Sequence, residues 1–541
     1  MLVEKGRGRA CVREVIGPAN RLENVLEALL VHEGVRGAFE PFDIPEATDD
    51  GRVNLRNLVT FTIDPETAKD FDDALSVRAE GDGLRAWVHI ADVSHFVPAG
   101  SPLDRGAAER ANSVYVPGLV APMLPHELSD EACSLRPHED RLTVTVEVLF
   151  DKHLQPGEPT FYRSVINSNE RFSYGQVQRI LTEGEQHELV DDLRLTERLA
   201  TELRRRRFDR GALRVESKEV TFVFDGQGGV ERAYFATEAH AHMLVEELMI
   251  FANEAVAAFL ADRRRAALYR VHEQPEPQSV LLLLQKLTHL GVPTPPAPDA
   301  ESMSPADAAA LAAATSERVT EYVQKSGLGA EAFPSLVLRA LKQAHYDPRN
   351  LGHSGLASVA YCHFTSPIRR YPDLVVHRAL LREIGQGDDP PPEDLQGLAE
   401  HTSTKEREAT QIEYLADEIC LAWLLESELY ERGWEKPYGG EIIGVIPSGL
   451  FIRFGGVFDG YLPVRRLGGD YFEVNELGTA LVGRRSARPY RLGDKIDVLV
   501  EDIRRSEGKV ELKPVGGERR SSRQGRGRRG RPKLQSGRGQ R

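Results

Sequence analysis

Four aspartates lie within ten residues of the stretch TIDPETAKDFDDA at 62–74, at Asp64, Asp70, Asp72 and Asp73. Carboxylates spaced this closely repel one another, and a hard divalent cation offsets that repulsion. Mg²⁺ takes oxygen ligands from a few carboxylates, water and substrate phosphate, and two such ions can activate water and stabilise a leaving oxygen. An acidic surface turn gives the same pattern. An EF-hand does not fit, because the glycine and the terminal Glu of that loop are missing.

Apolar residues flank these aspartates in the alternating pattern of β-strands. The run VTFTI leads into Asp64 and ALSV follows Asp73, as expected for strands with one buried face. Pro65 favours an extended or turning backbone at Asp64. If KDFDDA is extended, Asp70 and Asp72 point to the same side, because side chains alternate along a strand. The sequence therefore predicts strands beside the carboxylates.

Arginine and aromatic residues elsewhere in the chain are candidates for binding phosphates and bases. TSPIRRYPD at 365–373 supplies Arg369 and Arg370, whose guanidinium forks can each bind two phosphate oxygens. In GLFIRF, Phe451 and Arg453 share one strand face, and an aromatic beside a cation suits single-stranded nucleic acid. Ion pairing of the arginines and plain packing of Phe451 are the alternatives.

The composition is that of a multidomain globular protein with an uneven charge distribution. Of 541 residues, 41% are hydrophobic and 28% are charged, and the four cysteines form no CxxC pair, as expected in a reducing cytoplasm. The sequence contains no apolar run of about 18 residues, so no membrane-spanning helix is predicted. The net charge is −14, but residues 516–541 carry ten Lys or Arg and one Glu, which leaves −23 on the rest. This basic tail predicts salt-sensitive affinity for phosphates.

Local patterning predicts a multidomain α+β protein in four parts. Residues 1–57 are predicted to form a small helical module, because NRLENVLEALLVHEG has one apolar side; a helix-turn-helix fits this length, whereas two small β-barrels do not. Residues 58–433 mix strands with long helices, as in a mixed α/β domain. Residues 437–515 contain about five short strands, which predicts an OB-type barrel. Residues 516–541 have almost no apolar residues and are predicted to be disordered.

TIDPETAKDFDDA resembles the signature of the RNase II and RNase R family, the RNB exoribonucleases. The stretches HIADVSHFV, LVEELMIFAN, LYRVHE and YCHFTSPIRRYPDLVVHR resemble further motifs of the same catalytic domain, in the family's order, within residues 58–433. The C-terminal barrel resembles the S1 domain of these enzymes, and the basic tail resembles that of RNase R. The family's two cold-shock barrels have no room in residues 1–57.

The resemblance implies an enzyme that hydrolyses RNA processively from its 3′ end and releases nucleoside 5′-monophosphates. It implies single-stranded RNA with a free 3′ end as the partner, a monomeric protein, and a Mg²⁺ site with one or two ions, for which Mn²⁺ can substitute. A catalytically inactive RNA-binding or scaffold protein of this family is the alternative. A further alternative is a two-metal phosphohydrolase or DNA nuclease of another family. The motifs do not distinguish RNase II-like from RNase R-like handling of duplexes.

Carried over by position, the resemblance gives each candidate residue a role. Asp72 matches the aspartate that is essential for cleavage, and Arg369 matches the arginine at the scissile phosphate. The family's second stacking aromatic has no counterpart around Val215. The predicted metal ligands are Asp64, Asp70 and Asp73, and the predicted RNA-binding residues are Tyr115, which would stack on the 3′-terminal bases, with Glu247, Arg370, Tyr174, Phe451 and Arg453.

Overall fold

The computed structural model describes residues 2–6, 9–35, 37–214, 219–226, 228–235, 239–298 and 302–516. The tail that is predicted to be disordered lies outside the described residues from position 517 onward, and so do residues 215–218 around Val215. The fold is therefore described for the predicted catalytic and barrel regions and for most of residues 1–57.

The N-terminal region is a hairpin followed by one helix. Strand β1 (Leu2–Gly6) pairs antiparallel with β2 (Arg9–Glu14), and helix α1 (Leu22–His32) buries its leucines as the amphipathic pattern predicts. The region is therefore not purely helical, and its described residues contain no second helix for a helix-turn-helix. The hairpin escapes sequence reading because its two short strands are held by cross-strand backbone pairing rather than by a periodic apolar pattern.

A seven-stranded mixed sheet forms the centre of the catalytic region. Its middle strands are antiparallel, and its two outermost pairs are parallel. The strand of this sheet that comes first in the sequence contains residues 53–54, so the sheet includes residues before the predicted domain boundary at 58. In sheet order the strands are β11 (Glu170–Ser173), β4 (Phe61–Asp64), β5 (Asp73–Glu80), β6 (Gly83–Ala91), β9 (Asp140–Phe150), β10 (Thr160–Asn167) and β3 (Val53–Asn54).

Helices cover both faces of this sheet because successive side chains along its strands point to opposite sides. Leu75 and Val77 of β5 pack in one apolar core with helices α5 and α6, and the preceding Ala74 packs in the other core with α2, α3 and α10. The helices are α2 (Val93–Phe96), α3 (Pro102–Arg110), α4 (Tyr174–Gln178), α5 (Val190–Asp209), α6 (Ala239–Asp262), α7 (Pro277–His289), α8 (Pro305–Ser326), α9 (Ala332–Arg339), α10 (Tyr371–Glu383) and α11 (Leu395–Arg432).

Besides the β1–β2 hairpin, the described residues contain three short antiparallel pairs outside the main sheet. One of them is a hairpin that carries Tyr115, and another lies on the two sides of the glycine-containing stretch at 226–229. The pairs are β7 (Val114–Val116) with β8 (Leu119–Ala121), β12 (Val220–Phe224) with β13 (Val230–Phe235), and β14 (Tyr269–Val271) with β15 (His345–Asp347).

Residues 438–514 contain a closed five-stranded barrel and three further strands. Leu450, Ile452 and Phe454 fill its interior, as their shared strand face predicts. A separate three-stranded sheet, which the sequence did not reveal, lies between the third and fourth barrel strands. The barrel strands are β16 (Tyr438–Ile446), β17 (Gly449–Phe454), β18 (Phe458–Pro463), β22 (Lys495–Arg504) and β23 (Lys509–Pro514), and the inserted strands are β19 (Phe472–Val474), β20 (Ala480–Gly483) and β21 (Pro489–Arg491).

The barrel packs against the catalytic region through buried polar contacts. The carboxylate of Glu441 on β16 accepts hydrogen bonds from the backbone N–H groups of Glu331 and Ala332 at the start of α9, at 3.0 and 3.2 Å. A negative charge is stabilising at a helix N-terminus. Within the part of the chain that the structure describes, no helix is both long and apolar enough to cross a membrane.

Candidate active site

The aspartates lie where β4 ends and β5 begins. Asp64 is the last residue of β4, and Asp73 is the first residue of β5 and pairs with Ile90 of β6. The backbone carbonyl of Asp72 accepts a hydrogen bond from the Ala91 N–H at 2.9 Å. The prediction that strands position the carboxylates is therefore confirmed, and the connection between the two strands is fixed against the central sheet.

Asp72 is buried, yet one of its carboxylate oxygens is available. Its side chain is 3% exposed, and Oδ1 accepts a hydrogen bond from the Ile368 backbone N–H at 2.8 Å. Oδ2 has no hydrogen-bond partner among the described residues and lies 3.4 Å from Nε of Arg369. A buried carboxylate oxygen without a donor is costly. This oxygen therefore fits a ligand that is not part of the chain.

Burial gives three of the four aspartates unusual proton affinities. It raises the pKa of Asp72 well above its usual range and the pKa of Asp73 to about 6. Burial, followed by the negative charge of Asp73, raises the pKa of Asp64 to about 8, and Oδ2 of Asp64 also has no hydrogen-bond partner within the described ranges. A divalent cation would favour the ionised form of these groups.

The carboxylates fit Mg²⁺ by the chemistry of their oxygens. No group of three or more His, Cys, Asp or Glu side chains at the described positions is arranged to hold a metal ion by itself. Mg²⁺ needs fewer protein ligands than that, since it retains waters and binds through one or two carboxylates together with substrate phosphate. The two carboxylate oxygens without partners, on Asp64 and Asp72, therefore provide the observation that matches such an ion.

The arginine pair before α10 divides into one available and one committed side chain. Arg369 is 48% exposed and donates from Nη2 to Ser366 Oγ at 3.1 Å. Arg370 donates from Nε and Nη2 to both oxygens of the fully buried Asp373, at 2.9 and 2.8 Å. Arg369 can therefore meet a phosphate, whereas Arg370 holds the loop in place.

Tyr115 lies directly against the aspartates. Its hydroxyl donates to Oδ2 of Asp70 at 2.5 Å, and its backbone N–H donates to Glu413 of α11 at 2.9 Å. The side chain remains 36% exposed and lines a cavity of about 140 Å³ together with Asn112, Arg369 and Glu413. Burial and the charge of Asp70 raise the pKa of the phenol, which therefore stays a hydrogen-bond donor. The aromatic candidate thus contacts the acidic site through Asp70 and lines the same cavity as Arg369.

Tyr174 is also positioned beside the aspartates. It follows Ser173, which is paired with Asp64 between β11 and β4. Burial and the charges of Asp73 and Asp64 raise the pKa of its phenol. Its ring stacks on His242 with centroids 3.6 Å apart and an interplanar angle of 14°. Tyr174 therefore forms part of the wall next to the predicted metal ligands.

The other predicted RNA-binding residues have different surroundings. Glu247 is 1% exposed and forms a buried pair with Arg207, whose Nε donates to Oε2 at 3.0 Å. On the barrel, Arg453 binds both oxygens of Asp459 at 2.7 Å and Oε2 of Glu331 at 3.0 Å. Phe451, in contrast, is 42% exposed, with its ring 5.5 Å from that of Tyr461. Of these three, Phe451 alone presents an open binding surface.

Sequence reasoning missed the groups that position the site. The Ile368 N–H fixes Asp72, and Glu413 fixes the backbone of Tyr115 from 298 residues away. Asp373 organises the arginine loop by binding both Arg370 and the Ser366 N–H. A backbone donor has no sequence signal, but Asp373 lies within the YPD end of the arginine motif, and its spacing of three from Arg370 was a usable hint.

Buried carboxylates beside an exposed guanidinium are groups of the kind that suit divalent cations and phosphate esters. The chain belongs to the RNB-domain family, since the family model described as the RNB domain matches residues 52–385. A mixed α/β catalytic fold of this family is therefore established.

Individual relatives support the same assignment. The chain is 36% identical over 509 residues to ribonuclease R of Escherichia coli, a match that covers 90% of this chain and 60% of the relative. Its fold resembles that of Mycoplasma genitalium RNase R in complex with ribose-methylated single-stranded RNA, with a TM-score of 0.84, 27% identity, and coverage of 94% and 80% of the two chains. It also resembles yeast Ssd1, described as a pseudonuclease, with a TM-score of 0.65, 20% identity, and coverage of 86% and 58%.

Proposed function

We propose that this chain is a hydrolytic, processive 3′→5′ exoribonuclease that releases nucleoside 5′-monophosphates from single-stranded RNA with a free 3′ end. The observation that carries this proposal is the buried Asp72, whose available oxygen lies 3.4 Å from the exposed Arg369. The chain spans 60% of the length of its Escherichia coli relative. The ribonuclease activity of such relatives therefore enters as support for the proposal. We also propose that the protein is monomeric and acts in the cytoplasm.

The metal site is proposed at Asp64, Asp70 and Asp73, next to Asp72. When bound, Mg²⁺ supplies an activated water and neutralises negative charge on the phosphate; Mn²⁺ is the expected substitute. The chain's own part is to hold the carboxylates in place before substrate arrives. Backbone pairing of Asp73 with Ile90 and the Ile368 N–H bond to Asp72 do this without mobile side chains.

The proposed RNA contacts follow from which side chains are available. Arg369 stabilises charge that develops on the scissile phosphate, because its guanidinium is exposed toward the cavity. Tyr115 stacks on the terminal base, and stacking is independent of base identity, as degradation without sequence preference requires. Tyr174 lies against the same site. Arg370 and Glu247 act by positioning, since each is held in a buried ion pair.

The barrel is proposed to be an S1 domain that guides RNA toward the catalytic region. Phe451 provides an exposed ring on its outer face, and an aromatic platform on an OB-type barrel binds single strands. Arg453 is expected to secure this domain rather than to bind RNA, because both of its contacts are carboxylates and one of them, Glu331, lies at the start of α9.

The decisive variant is Asp72→Asn. Asparagine keeps the acceptor for the Ile368 N–H but removes the charge, so RNA should bind as tightly as before or more tightly while turnover falls by at least about 10²–10³-fold. Labelled single-stranded RNA and DNA are incubated with Mg²⁺ or EDTA, and mononucleotides and binding are measured for both proteins.

The proposal is supported if the wild-type chain releases 5′-mononucleotides from RNA with Mg²⁺ but not with EDTA, and Asp72→Asn does not release them. RNA binding without any mononucleotide release by the wild type identifies the alternative, an inactive RNA-binding protein. The likeness to Ssd1 makes this control necessary, because the fold is shared with a pseudonuclease. Release at wild-type rate by Asp72→Asn contradicts the assigned role of Asp72.

A further inference from the structure

The three-stranded sheet inserted between β18 and β22 is a fixed part of the molecule. Leu481 and Tyr490 of this sheet, and Leu492 directly after it, are buried in the core that the barrel shares with α7, α9 and α11. Thr479 Oγ1 lies 3.0 Å from Nδ1 of His289 at the end of α7. The insert therefore has a defined position at the junction of the barrel and the catalytic region.

Four exposed arginines lie within eight residues at the β20–β21 end of the insert. Arg484 pairs with Glu473. The other three, Arg485, Arg488 and Arg491, form no ion pair with a carboxylate at any described position, although the guanidinium of Arg488 lies 5.0 Å from the ring centroid of Tyr490. Among the described residues, an ion pair therefore compensates only one of these four guanidinium groups, although the Asp470 and Asp494 carboxylates lie close by and accept backbone N–H bonds from Arg485 and Arg491.

Three arginines on the nearby barrel, in contrast, each form an ion pair with a glutamate. Arg465 pairs with Glu511, Arg466 pairs with Glu501 at 2.6 Å, and Arg504 pairs with Glu507 at 3.1 Å. Outside the basic tail the chain carries a net −23, so carboxylate partners are plentiful. Three guanidinium groups of one hairpin, by contrast, have no ion pair within the described residues, so they are available to the phosphates of an anionic polymer.

An exposed aromatic ring is held beside this patch. Tyr471 is 72% exposed. The carboxylate of Asp470 accepts hydrogen bonds from the backbone N–H groups of Tyr471 at 2.7 Å, Arg485 at 3.0 Å and Ser486 at 2.8 Å. The Arg484 N–H also donates to the Tyr471 carbonyl at 2.7 Å. The ring and the arginine turn are therefore parts of one surface rather than two separate loops.

We infer that Tyr471, Arg485, Arg488 and Arg491 form an RNA-binding surface, which we call the insert patch, outside the barrel face that carries Phe451. It binds the phosphates of single-stranded RNA upstream of the 3′ end and stacks one base on Tyr471, without reading sequence. This inference rests on the proposed exoribonuclease function, because that function places RNA on the protein. The insert patch acts on long substrates, since a short RNA is held by the catalytic site alone.

The test is made in the full chain carrying Asp72→Asn, so that RNA stays intact. Affinity is measured over a range of salt concentrations for a 5-mer and for an RNA of about 30 nucleotides, which exceeds the usual site of about 4–16 nucleotides on one such domain. The triple variant Arg485→Ala/Arg488→Ala/Arg491→Ala is compared with Arg465→Ala/Arg466→Ala/Arg504→Ala, whose arginines are ion-paired on the same barrel.

Removal of the insert-patch arginines should weaken binding of the long RNA about tenfold or more and lower its salt slope by about 2, at about 0.7 per single-strand phosphate contact. Affinity for the 5-mer should be unchanged, and the control triple should affect neither RNA. Tyr471→Ala should weaken long-RNA binding by about tenfold without changing the salt slope, because it removes stacking and no charge.

Equal long-RNA affinity and equal salt slope in the two triple variants overturn the inference while leaving the proposed function intact. Equal weakening of the 5-mer and the long RNA also overturns it, because the effect would then lie at the catalytic site. Absence of binding to both RNAs by every form, including the Asp72→Asn parent, marks the failure of the proposed function itself.

Discussion

At the residue scale, the hydroxyl of Tyr115 joins the proposed base-stacking ring to a proposed metal ligand. It donates to Oδ2 of Asp70 at 2.5 Å. A hydrogen bond to a charged acceptor is stronger than one between neutral groups. One carboxylate oxygen of Asp70 is therefore occupied by this hydrogen bond as long as the ring stays in place. A base that stacks on Tyr115 and shifts its ring can change how tightly Asp70 binds metal.

Tyr115→Phe separates these two roles. The ring is retained, so RNA affinity in the Asp72→Asn background should be unchanged. Asp70 loses its donor, so Mn²⁺ should bind the RNA-free protein about tenfold more tightly, which corresponds to about 1.4 kcal/mol. Isothermal titration calorimetry measures both quantities. Tyr174→Phe is the matched control, because the Tyr174 hydroxyl has no hydrogen bond to a carboxylate among the described residues; an equal gain there contradicts the explanation.

The neighbouring Arg369 and Arg370 should respond in opposite ways to the same change. Arg369→Ala removes an exposed side chain that lies 3.4 Å from Asp72, so single-turnover cleavage should fall about 10²–10³-fold, with a smaller loss of stability than in Arg370→Ala because burial raises the pKa of Asp72 and lets it take up a proton. Arg370→Ala leaves the buried Asp373 without its ion pair, so the free energy of unfolding should fall by about 3–5 kcal/mol. Urea denaturation and quenched-flow kinetics measure the two effects. Equal destabilisation by both variants contradicts this division of roles.

At the element scale, strands β5, β6 and β9 hold a buried histidine between them. His89 of β6 contacts Ser76 of β5 at 3.2 Å and Thr145 of β9 at 2.9 Å, and it is fully buried. Burial lowers its pKa from 6.5 to about 3. Below pH 6.5 the unfolded chain therefore binds a proton that the folded chain does not, so the stability contributed by neutral His89 is lost as the pH falls toward 3.

His89→Gln removes this proton linkage while keeping an amide that can bond to both hydroxyl groups. As the pH is lowered from 6.5 to 4.5, the free energy of unfolding of the wild type should fall relative to that of the variant by about 1.4 kcal/mol per pH unit. Above pH 7 the difference should be independent of pH. Urea unfolding at five pH values measures it, and parallel pH profiles for the two proteins would show that His89 is protonated in the folded state.

The elements differ in how far the sequence could predict them. Helices α6 and α11 and the strands around Asp64 and Asp73 follow local apolar periodicity, which predicts long helices over roughly 238–264 and 397–432 and strands on both sides of the aspartates, close to the bounds observed. The inserted sheet does not, because its three- and four-residue strands depend on pairing with one another and packing on the barrel. For the same reason, the Glu413 contact to Tyr115 required the tertiary fold.

At the scale of the whole molecule, charge is divided between an acidic body and localised basic regions. Three arginines of the insert patch have no ion pair among the described residues, and the sequence adds ten Lys or Arg between residues 516 and 541. Long RNA can therefore meet positive charge at several separated places, although the net charge of the protein is −14. Retention between successive cleavages would depend on these contacts together.

The tail should contribute retention and not chemistry. Deletion of residues 517–541 should weaken binding of long RNA at low salt and lower the salt slope by several units, because up to ten phosphate contacts are lost. The rate of cleavage in a single turnover of saturating short RNA should be unchanged. A tail of the same length, with its arginines and lysines replaced by glutamine, separates charge from length and should behave like the deletion. Wild-type affinity and salt slope in the deleted protein would contradict the role of the tail, and wild-type behaviour of the glutamine tail alone would assign that role to length instead of charge.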